Sequence, residues 1–127
     1  MGLKISTLHR SLIPEFLRCE LVHNWHISDV APHAEIATPD HEPITRLFIP
    51  NGNAMWLLTE LNPDTNVAFG LVDLGLNSPE IGQVSLDELE ALAATEGFEI
   101  EVDLHFEAKH TLSQYAELAK AAGRIVD

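Results

Sequence analysis

Three strand-length apolar runs, 47–50, 54–61 and 67–74, follow one another with two strong turn signals between them. They are rich in Phe, Ile, Val, Leu and Trp, the residues that suit a pleated, buried surface. Asn51-Gly52 tolerates the positive φ that tight hairpin turns need. Asn62-Pro63-Asp64 sets φ at the proline and offers an Asx turn. Loops this short join antiparallel neighbours, because parallel pairing needs a long crossover. In the middle run, Met55 and Leu57 face one way and Trp56 and Leu58 the other, so a central strand covered on both sides is expected. Trp56 should be buried there, under the helix that starts at Leu86, the closing helix, or both.

Around this meander the chain reads as one α+β domain over 1–127, with an antiparallel sheet of four to five strands and about three helices. The first 43 residues read as an N-terminal helix and a loop rich in His and Pro. Pro14 suits a first helical turn, and Phe16, Leu17 and Leu21 form a stripe at helical spacing up to residue 24. Three prolines then mark 25–43 as a long ordered loop. After the meander, 81–84 reads as a short strand. Ser85-Leu86-Asp87-Glu88 is a capping box opening a helix whose Leu86, Leu89, Leu92 and Ala93 face the core and which Gly97 stops. Residues 98–107 alternate without a slip: Phe98, Ile100, Val102, Leu104 and Phe106 on one face, acids and His105 on the other. Thr111 opens the closing helix, with Leu112, Tyr115, Leu118, Ala119 and Ala122 inward.

The formal charge of −13, from seven Lys/Arg against twenty Asp/Glu, disfavours direct binding to nucleic acid or anionic lipid. Cys19 is the one cysteine, so no intramolecular disulfide forms, which suits a reducing cytoplasm. In its helix it reads as a small, buried or half-buried hydrophobe. No run is long enough to span a bilayer. Met1-Gly2-Leu3-Lys4-Ile5-Ser6 fits the loose N-myristoylation pattern, a match that chance readily supplies.

Residues 44–125 resemble a family of small uncharacterised bacterial and plasmid- or phage-borne proteins, domain of unknown function 2958. The resemblance rests on LFIPNGNAMWLLTEL, VAFGLVDLG, PEIG-x-VSLDELEAL and DLHFEAKHTLSQYAELAKAAGRI. It implies a mobile-element context and carries no established catalytic residue; some similar proteins bear the label of a single-stranded DNA endonuclease.

The most pronounced chemical feature is charge. Between Arg46 and Lys109 there is no Lys or Arg, while twelve Asp/Glu occur. Along 98–107 the carboxylates of Glu99, Glu101, Asp103 and Glu107 would share one face, alternate positions standing about 6.6–6.8 Å apart. Such a row suits a protein partner with a basic surface and, in its sharpest form, a nucleic-acid mimic that inhibits a host defence enzyme. The plain alternative is a solvated face on an acidic protein. His23, His26, His33 and His41 lie among carboxylates and are weak metal-ligand candidates, with no HExxH or cysteine pair beside them. Asp64, Asp103, Glu107 and Lys109 loosely echo the PD…(D/E)xK set of metal-dependent nucleases, the enzymatic alternative. No nucleotide-cradling glycine loop and no G-x-S-x-G elbow occur, so no cofactor is called for. Self-association stays open.

Overall fold

The computed structural model describes residues 12–126; the myristoylation pattern at 1–6 lies outside them. One antiparallel sheet holds β1 (Thr45–Phe48), β2 (Met55–Asn62), β3 (Val67–Asp73), β4 (Glu80–Ser85) and β5 (Glu101–Val102) in the order β4-β3-β2-β1-β5. With α1 (Glu15–Val30), α2 (Leu86–Glu96) and α3 (Leu112–Ala122) it makes the α+β architecture expected. No helix among the described residues is long and apolar enough to cross a membrane.

β2 is central and covered on both faces. Trp56, Leu58 and Leu61 point into a cluster with Leu21 and Ile13 from the α1 side and Leu86 from α2. Leu57 points into a second cluster with Leu71 of β3 and Leu112, Tyr115 and Ala119 of α3. Trp56 is 3% exposed, buried as its place in the middle run required. Its cover includes α1 as well as Leu86, while α3 closes the opposite face. The turns behave as their residues dictate: Asn51 takes φ 65°, and the Asp64 N–H donates to Asn62 Oδ1 at 2.9 Å. A register shift at Thr59 lets its hydroxyl donate to the Phe69 carbonyl.

Several expectations need correction. α1 does not stop at residue 24 but runs through Trp25 and His26 to Val30. Pro14 sits at its N-cap, just ahead of the first turn. Nothing in 25–31 breaks a helix, and the chain leaves only after Pro32, on a left-handed Glu35 that lets Ile36 N–H return to the Ala31 carbonyl. Phe16 is 62% exposed and Cys19 is exposed too, so the inward stripe is Ile13, Leu17 and Leu21. In α2, Ser85 caps Glu88 N–H and Gly97 ends the helix at φ 79°, yet Leu92 faces solvent at 51%. In α3, Leu118 and Ala122 are exposed. The alternation of 98–107 yields a strand of only two residues. β1 offers just four residues to pair with, and the Asp103 carboxylate takes the His105 N–H at 2.9 Å, an Asx turn that bends the chain away.

Candidate functional site

The sheet's topology decides where the acids go. β4 and β5 are opposite edges, so the chain between them must cross from one edge to the other. Leu86, Leu89, Ile100 and Val102 all pack against the Trp56 cluster, which places the crossing on that face. The exposed polar residues from β4 to β5 are acidic apart from Gln83 and Thr95: Glu80, Asp87, Glu88, Glu96, Glu99 and Glu101, with no Lys or Arg in the segment. Glu90 is half-buried among them. Burial and then the neighbouring Asp87 charge push its carboxyl above the usual range, against a main-chain hydrogen bond that lowers it. Leu92 stands exposed in the same helix.

The row drawn along 98–107 is broken at its third member. Asp103 is half-buried, forms an ion pair with Arg46, and accepts the His105 N–H. Burial acts to raise its pKa, but the His105 N–H and the Arg46 guanidinium outweigh it and hold the carboxyl below its ordinary value. Arg46 also lies over the Phe106 ring, 5.5 Å from its centroid. Asp103 is therefore spoken for, while Glu99, Glu101 and Glu107 remain exposed.

Asp64, Asp103, Glu107 and Lys109 do not converge. Asp64 sits in the β2–β3 turn, beyond Asn62. Asp103 lies beside Arg46, which pairs with Leu57, five residues back along β2, roughly 17 Å of strand. Lys109 is exposed, and its N–H donates to the Tyr115 hydroxyl at 3.0 Å.

The histidines scatter as well. His23 and His26 are exposed on α1, and His33 is exposed in the turn after it. His41 lies apart in the loop that follows, 3.1 Å from Ser28 Oγ and 3.8 Å from Glu60. Among the described residues no three His, Cys, Asp or Glu side chains gather into a group that could hold a metal ion. Cys19 donates to the Glu15 carboxylate at 3.2 Å, and that hydrogen bond, with slight burial and the Glu15 charge, raises its thiol pKa. A thiol held protonated is a poor nucleophile.

Sequence reasoning missed a cleft of about 830 Å³ where the β1–β2 and β3–β4 loops meet the end of α3. Arg46, Asp103 and His105 line one side, with Asn53, Asp73 and Arg124 among the other polar walls. The two arginines face two carboxylates, so the cleft is balanced in charge in a strongly acidic chain. Asp73 is committed to main-chain donors. The walls come from positions too distant in sequence for a spacing motif. Gly75 and Gly123, both at positive φ, are the local trace of the turns that shape it.

A family model described as Protein of unknown function (DUF2958) matches residues 12–126. The match takes in the helix and loop ahead of residue 44 as well as the sheet. No curated protein and no solved structure matches the chain.

Proposed function

The chain belongs to the family described as Protein of unknown function (DUF2958), and from that premise we propose that it is a small accessory protein that works by binding another protein through its acidic surface. One observation carries this. A segment without a single cation crosses the sheet from edge to edge and leaves Glu80, Asp87, Glu88, Glu96, Glu99 and Glu101 exposed. Like charges gathered on one surface repel one another, a cost that a cationic partner reduces on binding. In its sharpest form the partner is an enzyme of host defence whose basic surface otherwise holds nucleic acid, and the carboxylates stand in for phosphates. The cytoplasm of a bacterium carrying a mobile element is where such a protein would act.

Charge reversal at Glu88, Glu96, Glu99 and Glu101 to Lys tests the reading. Asp103 is left alone because it serves Arg46. Partners captured from host lysate by the wild type should fall away as salt rises and should be lost on the reversed variant. Partners that survive both changes sink the proposal.

A further inference from the structure

We propose that β4 is a docking edge, and that the partner adds to it an extended segment alternating between basic and apolar residues, as a sixth strand. The inference rests on the acidic-surface reading and specifies where and how the partner sits.

β4 closes one side of the sheet, and among the described residues no strand pairs with its outer side. Two contacts establish which of its main-chain groups face away from β3. Leu86 N–H donates to the Asn66 carbonyl at 3.0 Å, in register with the pairing of Ser85 to Val67. Antiparallel partners alternate between bonded and non-bonded pairs, so Val84, Gly82 and Glu80 turn their N–H and C=O groups towards β3. Ile81 and Gln83 turn theirs outward. The Thr59 hydroxyl agrees: it reaches the Phe69 carbonyl from the β2 side, as it must if Phe69, opposite Gln83, offers nothing to β4.

Edges of this kind are usually blunted by lysine, proline, a bulge or shortness. β5, the other edge, has only two residues. β4 has six and reads EIGQVS, with no lysine, proline or bulge within it and its one charge, Glu80, at the first position after Pro79.

The two faces of β4 state what would fit. Ile81, opposite Leu71, is on the α3 face and 44% exposed, a seat for an apolar side chain of the incoming strand. Glu80 and Val84 are on the α2 face, where Asp87 and Glu88 open the helix directly after β4. Gly82, between them, has open space around its missing side chain. A strand with lysine or arginine on that face and valine or isoleucine on the other meets carboxylates on one side and Ile81 on the other. A second copy of this acidic chain would instead bring Glu80, Asp87 and Glu88 of both copies together, so charge selects a basic partner.

The probe is a short peptide of alternating lysine and valine, added to the intact protein and followed by amide hydrogen exchange and titration. Ile81 and Gln83 amides should slow, while Gly82 and Val84, already bonded to β3, should not change. The same peptide N-methylated on its pairing edge should bind at least tenfold more weakly, and a glutamate–valine peptide should not bind. Equal binding by the N-methylated peptide, protection elsewhere, or no binding of the lysine–valine peptide overturns the strand. Gln83→Pro removes an outward N–H without removing a β3 ladder bond and checks the site from the protein's side, with thermal melts confirming that the variant stays folded. Where that variant keeps its partners and the charge-reversed variant loses them, the acidic surface stands and the docked strand falls. Where both keep them, both ideas fall.

Discussion

Asp73 accepts the Ile125 N–H on Oδ2 at 2.9 Å and the Gly75 N–H on Oδ1 at 2.8 Å. The carboxylate is buried at the end of β3, where both oxygens exchange water for main-chain donors. One side chain so ties the end of the chain to the sheet, next to Leu71 and the α3 cluster that Ile125 joins.

Asp73→Ala leaves those donors without their acceptor and should cost about 3 kcal/mol, since hydrogen bonds to charged groups contribute about 1.5–3 each. Urea melts give the cost, and amide exchange locates it: Ile125 should lose protection well before β2 does. A loss below ~1 kcal/mol with Ile125 still protected contradicts the role assigned to Asp73.

Trp56→Ala should cost ~3–5 kcal/mol, the range for truncating a large buried aromatic. The side chain is 3% exposed between α1 and the sheet, and a domain of this size has only about 5–15 kcal/mol of net stability. Denaturant titration checks it. A cost near 1 kcal/mol would mean that α1 closes over the gap.

Two glycines in neighbouring strands should respond in opposite ways. A Cβ on Gly70 would lie 2.0 Å from the Leu57 carbonyl oxygen, with main-chain atoms on β2 unable to retreat. Gly70→Ala should therefore cost at least about 3 kcal/mol, at or beyond the usual range for overpacking. A Cβ on Gly82 meets nothing within 4 Å, so Gly82→Ala should stay within about 0.5 kcal/mol of the wild type or stabilise it slightly. Thermal melts of the pair decide, and similar costs would mean that β4 is not the open edge described.

The meander was legible because its signals are local: Asn51-Gly52 and Asn62-Pro63-Asp64 each determine a turn, and the runs between them have strand length. The covering of β2 on both faces was legible from Met55 to Leu58 for the same reason. What escaped depends on partners far along the chain. The alternation of 98–107 is real in composition, but a strand lasts only as long as its neighbour, and β1 ends at Phe48. Asp103 looked like one more member of the acid row until Arg46, 57 residues away, claimed it. The full length of α1 is hidden in the sequence because His and Asp in 25–31 resemble loop residues, though nothing there breaks a helix before Pro32. The cleft left no motif at all, for Arg46, Asp73 and Arg124 meet only through the fold.

The loop ahead of β1 holds the start of α3 through a titrating group, so the strength of this link should depend on pH. Ser113 donates to Asp40 through its hydroxyl and, at 3.1 Å, through its N–H, while Leu112 N–H donates to the His41 carbonyl. Asp40 so serves the exposed donors of the first turn of α3, as an N-cap side chain would. The Ser113 hydroxyl bond does most to lower the Asp40 pKa from its usual 3.8, helped by Thr111, the Ser113 N–H and His41 and opposed by slight burial. A carboxyl depressed by folding adds stability that is complete above its unfolded-state pKa and fades as pH falls through the folded-state value. Asp40→Ala should thus cost about 1 kcal/mol near neutral pH, the usual worth of such a cap. The gap between variant and wild type should narrow as pH drops below the ordinary aspartate range. Urea midpoints of both proteins from pH 7 to pH 3 test this, and a gap that stays constant across that range would show that the Asp40 charge takes no part.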